Sequence, residues 1–124
     1  MKGAVISIIT ILALTLSVIV TASMINASAS DIEEQLNNVD PEALDWAEIK
    51  ETVSYTKEMF GEKRWLYTLL LKDKEMSEIE SYLDELTAAA EMEAEEELMI
   101  TKSRLITSLG QIRQLSGLSL KTVF

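Results

Sequence analysis

Residues 4–25 read AVISIITILALTLSVIVTASMI, an unbroken apolar run that decides how the rest of the chain is organised. No charged residue occurs from Gly3 to Ser30. At ~1.5 Å of rise per residue, a helix over this run crosses the roughly 30 Å hydrocarbon core of a bilayer. Backbone polar groups in lipid must bond within their own segment, so a helix is expected here despite the many β-branched side chains. The run therefore predicts a membrane anchor in residues 1–30, with residues 4–25 against lipid. The acidic remainder, residues 31–124, forms the second part of the chain.

A cleaved signal peptide is the competing reading. Ala27-Ser28-Ala29 has the small-x-small form of a cleavage site, and Lys2 supplies a short positive start. The apolar stretch exceeds the ~7–15 residues of a typical signal core, which favours a retained anchor. Both readings carry residues 31–124 across the membrane; cleavage would make the product secreted. Lys2 flanks one end, Asp31, Glu33 and Glu34 the other, and no further basic residue precedes Lys50. This asymmetry predicts a single-pass protein of the cell membrane, N-terminus cytoplasmic and C-terminal part extracytoplasmic. A type IV pilin also begins with a long apolar helix, but its processing site and intramembrane glutamate are missing. Thr10, Ala13, Ser17 and Thr21 place small residues three and four apart, a candidate packing stripe for a second membrane helix.

Beyond the apolar run the composition excludes more than it suggests. Residues 31–124 hold ten basic and 21 acidic groups. Such a balance repels phosphate backbones, so nucleic acid is not an expected partner, and it argues against docking on an anionic lipid surface. The chain contains no cysteine and no histidine. Thiolate chemistry, disulfides and the commonest general base and transition-metal ligand are thereby removed. No phosphate-cradling loop or activated Ser/Lys motif is present. No enzyme activity and no cofactor are expected.

The patterning is helical throughout. Asp40-Pro41 reads as a helix start, with Glu42, Asp45 and Glu48 in its first turns. Trp46, Ile49, Val53, Thr56, Phe60, Lys63, Tyr67 and Leu70 then alternate steps of three and four, predicting a long helix over 41–71 with a kink at Gly61. Met76, Ile79, Leu83, Leu86 and Ala90 predict a second helix over 74–90. Leu98, Leu105, Leu109 and Ile112 predict a third over 93–115, stopped at Gly117 and followed by residues 118–124 as a short extended tail or a return strap over the bundle. The expected fold is all-α: a transmembrane helix followed by a small antiparallel three-helix bundle or helical-hairpin domain.

Two features invite a functional reading. Glu91-Met-Glu-Ala-Glu-Glu-Glu97 puts five glutamates in seven residues. Calcium takes clustered carboxylates, but no calcium-loop pattern is present, and acids at a helix start are favoured by the helix dipole; no metal site is assigned. Trp65 falls off the core stripe beside Lys63 and Arg64: either it closes against the third predicted helix, or these three form a contact surface.

The combination of one N-terminal membrane helix, Asp45-Trp46, Lys63-Arg64-Trp65, Glu78-Ile79-Glu80 with Leu83, and the closing Leu118-Ser119-Leu120-Lys121-Thr122-Val123-Phe124 resembles the domain-of-unknown-function family 4363 of clostridia-like, Gram-positive bacteria. The closing segment departs from the family in having Thr122 where asparagine is expected. The resemblance implies the anchored helical architecture and carries over no catalytic or binding residue. The expected function is a membrane-anchored accessory or interaction protein that binds another membrane or envelope protein. The alternative is an extracytoplasmic module that senses or binds cations or cationic ligands.

Overall fold

A computed structural model describes the backbone of residues 2–123 and the side chains of residues 2–117. Among the described residues there are four helices and no strand: α1 (Lys2–Asn37), α2 (Trp46–Tyr67), α3 (Asp73–Glu91) and α4 (Glu95–Val123). The first is long and apolar enough to cross a membrane. α1 packs against α2 and α4, and α3 packs against the same two, so the four close into a ring.

Local chemistry sets the helix boundaries, and two of them differ from expectation. Asp40 Oδ1 accepts from the Glu42 N–H at 3.0 Å, and the Leu44 N–H reaches the Asp40 carbonyl at 2.9 Å. That local turn absorbs Asp40-Pro41, so α2 begins five residues later than predicted, capped by Asp45, which accepts from the Glu48 N–H at 2.9 Å. At the other end α4 runs through Gly117 to Val123 instead of stopping. A glycine ends a helix by adopting positive φ, and no described glycine does so. The expected extended tail is therefore helical through Val123, and Phe124 lies outside the described residues. Gly61 lies within the continuous α2.

α1 does not end with its apolar run, so it packs with the three later helices instead of stopping before them. The division drawn at residue 30 falls inside one helix, whose Ala22, Ile25, Ala29, Ile32 and Leu36 are buried. Their steps of three and four make one stripe facing the other helices. Every residue named above for the stripes of the second and third predicted helices is buried with them. In α2 the stripe is mostly right: Ile49, Val53, Thr56, Phe60 and Tyr67 are buried, but Leu66 takes the place assigned to Lys63, which is exposed. The Phe60 and Tyr67 rings, centroids 5.0 Å apart, tilt together inside this core. No buried side-chain nitrogen or oxygen among the described residues lacks a partner.

Candidate functional site

Lys63, Arg64 and Trp65 are successive helical residues, so their side chains point about 100° apart. The structure accordingly separates them. Lys63 lines an open groove of about 360 Å³ between α1 and α2, together with Met24, Asp31, Tyr55 and Met59. Arg64 turns to α3, where its Nε meets Glu80 Oε1 at 2.6 Å. Trp65 is 58% exposed. Three adjacent residues therefore serve three surroundings, and only Trp65 presents a large apolar face to the outside.

The small-residue stripe of α1 also divides. Thr10 and Ala13 are exposed, and the Thr10 hydroxyl is engaged with the Ile6 carbonyl of its own helix at 2.8 Å. Ser17 is exposed as well and Thr21 is half-buried, but both border another part of the chain. They line a cavity of about 250 Å³ with Val18, Ala22, Ile25, Leu69 and Leu70. The turn joining α2 to α3 thus sits beside the last third of the apolar run.

Four hydrogen bonds that sequence reasoning did not find join α1, or the turn that follows it, to α2 and α4. Tyr67 is fully buried, and its hydroxyl donates to Ser28 Oγ at 2.8 Å. Burial pushes the Tyr67 phenol up to about 12; the bond to Ser28 opposes this, and the negative charges of Asp31 and Glu33 add to it. Arg113 of α4 reaches Glu33 Oε2 through Nη1 at 2.6 Å and Asn26 Oδ1 through Nε at 3.3 Å. Lys102 Nζ donates to the Val39 carbonyl at 2.9 Å, just past the end of α1. The available signal was the Ala22-to-Leu36 stripe, which continues the three-and-four rhythm out of the apolar run and across Asp31. Tyr82, on the α3 surface, has its phenol raised mainly by donating to Glu78 Oε1, at 3.1 Å.

The glutamate-rich segment forms the α3–α4 turn and the start of α4. Glu93 adopts φ 52°, and the Ala94 N–H bonds back to the Ala89 carbonyl at 2.9 Å, closing α3. Glu95, Glu96 and Glu97 occupy the first turn of α4 and are exposed. Among the described residues no three acidic side chains converge in a way that could hold a metal ion.

Fold and surface thus define an all-helical protein with one candidate membrane-spanning helix fused to its core. No family model, curated protein or solved structure matches the chain.

Proposed function

We propose that the chain is a single-pass, membrane-anchored accessory protein whose antiparallel four-helix bundle stands on the membrane and binds another membrane or envelope protein. One observation carries this reading. α1 is apolar on every face and exposed from Val5 to Leu16, yet from Ala22 onward it is the core helix of the bundle. Apolar surface costs ~25 cal/mol per Å² in water, so the exposed part calls for a lipid cover, and the helix has the length to find one. Pairing of Arg113 with Glu33, and of Lys50, Lys57 and Arg64 with Glu93, Asp84 and Glu80, supports helices that alternate in direction.

Retention of the anchor is favoured over cleavage. Cutting after Ala29 would remove Ile25 and Ala29 from the core and Ser28 from the Tyr67 hydroxyl. Lys2 on one flank and the acids after Ser30 on the other support a cytoplasmic N-terminus and an extracytoplasmic bundle. Membership of family 4363 forms part of this proposal and adds no activity to it.

The test is crosslinking in the native membrane, with mass spectrometry of what is captured, beside alkaline carbonate extraction. Retention in the carbonate-washed membrane with a reproducible stoichiometric partner is expected. A carbonate-soluble full-length chain would end the membrane reading; a strictly monomeric, partnerless membrane protein would end the accessory role.

A second reading, a binding module for cations or cationic ligands, is favoured by one further arrangement. Residues 40–48 hold four acidic and no basic residues, residues 91–97 five and none, and Lys50 at 3.6 Å from Glu93 ties the two stretches together. Calcium, polyamines and basic peptides should then raise the melting temperature; a flat response to all three would remove this alternative.

A further inference from the structure

The bundle is electrically lopsided along its length. Nine carboxylates and no basic residue occupy residues 40–48 and 91–97, where α2 and α4 begin. At the opposite end, residues 62–75 carry Lys63, Arg64, Lys72 and Lys74 against Glu62, Asp73 and Glu75, and Arg64 is paired with Glu80, so that end is close to neutral. The 22 residues of α2 separate the two ends by roughly 33 Å, at ~1.5 Å each. A Debye length is ~8–10 Å in physiological salt, so a lipid surface meeting the near-neutral end scarcely senses the acidic one. Net charge is a poor guide to this protein's lipid contacts.

The near-neutral end is also the one that lies beside the apolar run. Leu69 and Leu70 share a cavity with Ser17, Val18 and Thr21. Counting from Lys2 at ~1.5 Å per residue, that level comes roughly 25–30 Å along α1, where a bilayer's hydrocarbon gives way to headgroups. Trp65 at 58% and Leu69 at 63% exposure crown this end, and Leu115 at 40% lies beside Leu71 there. An exposed tryptophan with leucines and lysines at that depth has the composition of an interfacial belt.

We propose that the end of α2 and the α2–α3 turn make a second lipid contact, with Trp65 and Leu69 seated in the headgroup region of the bilayer that α1 enters. Lys72 and Lys74, both exposed, lie beside the lipid phosphates. The contact holds the bundle against the membrane surface, so that its acidic end is presented away from it. This inference rests on the reading of α1 as a membrane span. A lipid occupant is favoured over a protein one because the patch is continuous with the exposed apolar surface of α1 and is fringed by lysines.

The full chain has two tryptophans, which makes the test direct. Trp46→Phe leaves Trp65 as the only indole and Trp65→Phe leaves Trp46, near the acidic end. Each variant is reconstituted into vesicles of neutral and anionic lipid whose chains carry bromine either high or deep. Trp65 emission should be quenched several-fold more than Trp46 emission, and more by shallow bromine than by deep. If Trp46→Phe fails to fold, the difference between the unsubstituted chain and Trp65→Phe supplies the same quantity. Co-flotation with vesicles, resistance to carbonate and an unquenched Trp65 would overturn this proposal while leaving the anchor intact. Failure to co-float would overturn the anchor reading as well.

Discussion

The bond between Tyr67 and Ser28 ties α1 to α2, and its removal should register in three ways. A buried neutral hydrogen bond contributes ~1 kcal/mol net, so Tyr67→Phe should cost about that much. Ser28→Ala strands a phenolic hydroxyl inside the core and should cost roughly 1–3 kcal/mol. Once either partner is gone the other has less to lose, so the double variant should fall short of the sum by more than the ~0.5 kcal/mol expected of independent sites. The third signature is pH. Burial lifts the Tyr67 phenol from 10.0 to about 12 in the folded chain, so below pH 10 both states hold the proton and stability is complete. As pH rises from 10 towards 12 the unfolded chain releases its proton first, and stability falls by up to ~2.7 kcal/mol, at 1.36 kcal/mol per unit. Tyr67→Phe should lack that alkaline loss. The assay is denaturant unfolding of the detergent-solubilised full chain, followed by helical circular dichroism across this pH range. Strict additivity of the two substitutions, with an unchanged alkaline loss in Tyr67→Phe, would refute the coupling of α1 to the bundle.

Leu36→Ala probes the same coupling through packing: Leu36 is fully buried at the end of α1, and its truncation should cost roughly 2–5 kcal/mol in denaturant unfolding. A cost near zero would mean that α1 is not part of the core. Gly61→Ala should stabilise by about 0.5–1 kcal/mol, since Gly61 has ordinary helical φ within α2 and a Cβ there meets nothing within 4 Å; a lowered melting temperature would contradict an uninterrupted α2. Asp45→Ala should cost ~1 kcal/mol by removing the cap of α2, while Asp40→Ala should cost less because Asp40 caps no helix. Equal thermal shifts for the two aspartates would contradict that assignment.

Much of the fold was legible because helical periodicity is a local property. Met76, Ile79, Leu83, Leu86 and Ala90 could be placed on one face by spacing alone, as could Leu98, Leu105, Leu109 and Ile112, and all are buried. The all-helical class and a first helix long enough to span a bilayer followed from the same kind of reading. Boundaries were less legible. Asp40 and Asp45 are both good caps, and the choice between them was made by a local turn around Pro41. Gly117 could end a helix or be carried within one.

Spacing and composition reveal which side chains avoid water. Their destination is a matter of packing, because lipid tails and a protein core accept the same side chains. Ile9 and Ile25 belong to one apolar run, yet Ile9 is exposed and Ile25 is buried against the bundle. Nor could Lys63, Arg64 and Trp65 be assigned a common surface from adjacency, since helical geometry sends neighbours apart. The electrical polarity of the bundle is likewise tertiary: acids distant in sequence meet at one end only when the helices pack, and total charge carries no record of where they meet.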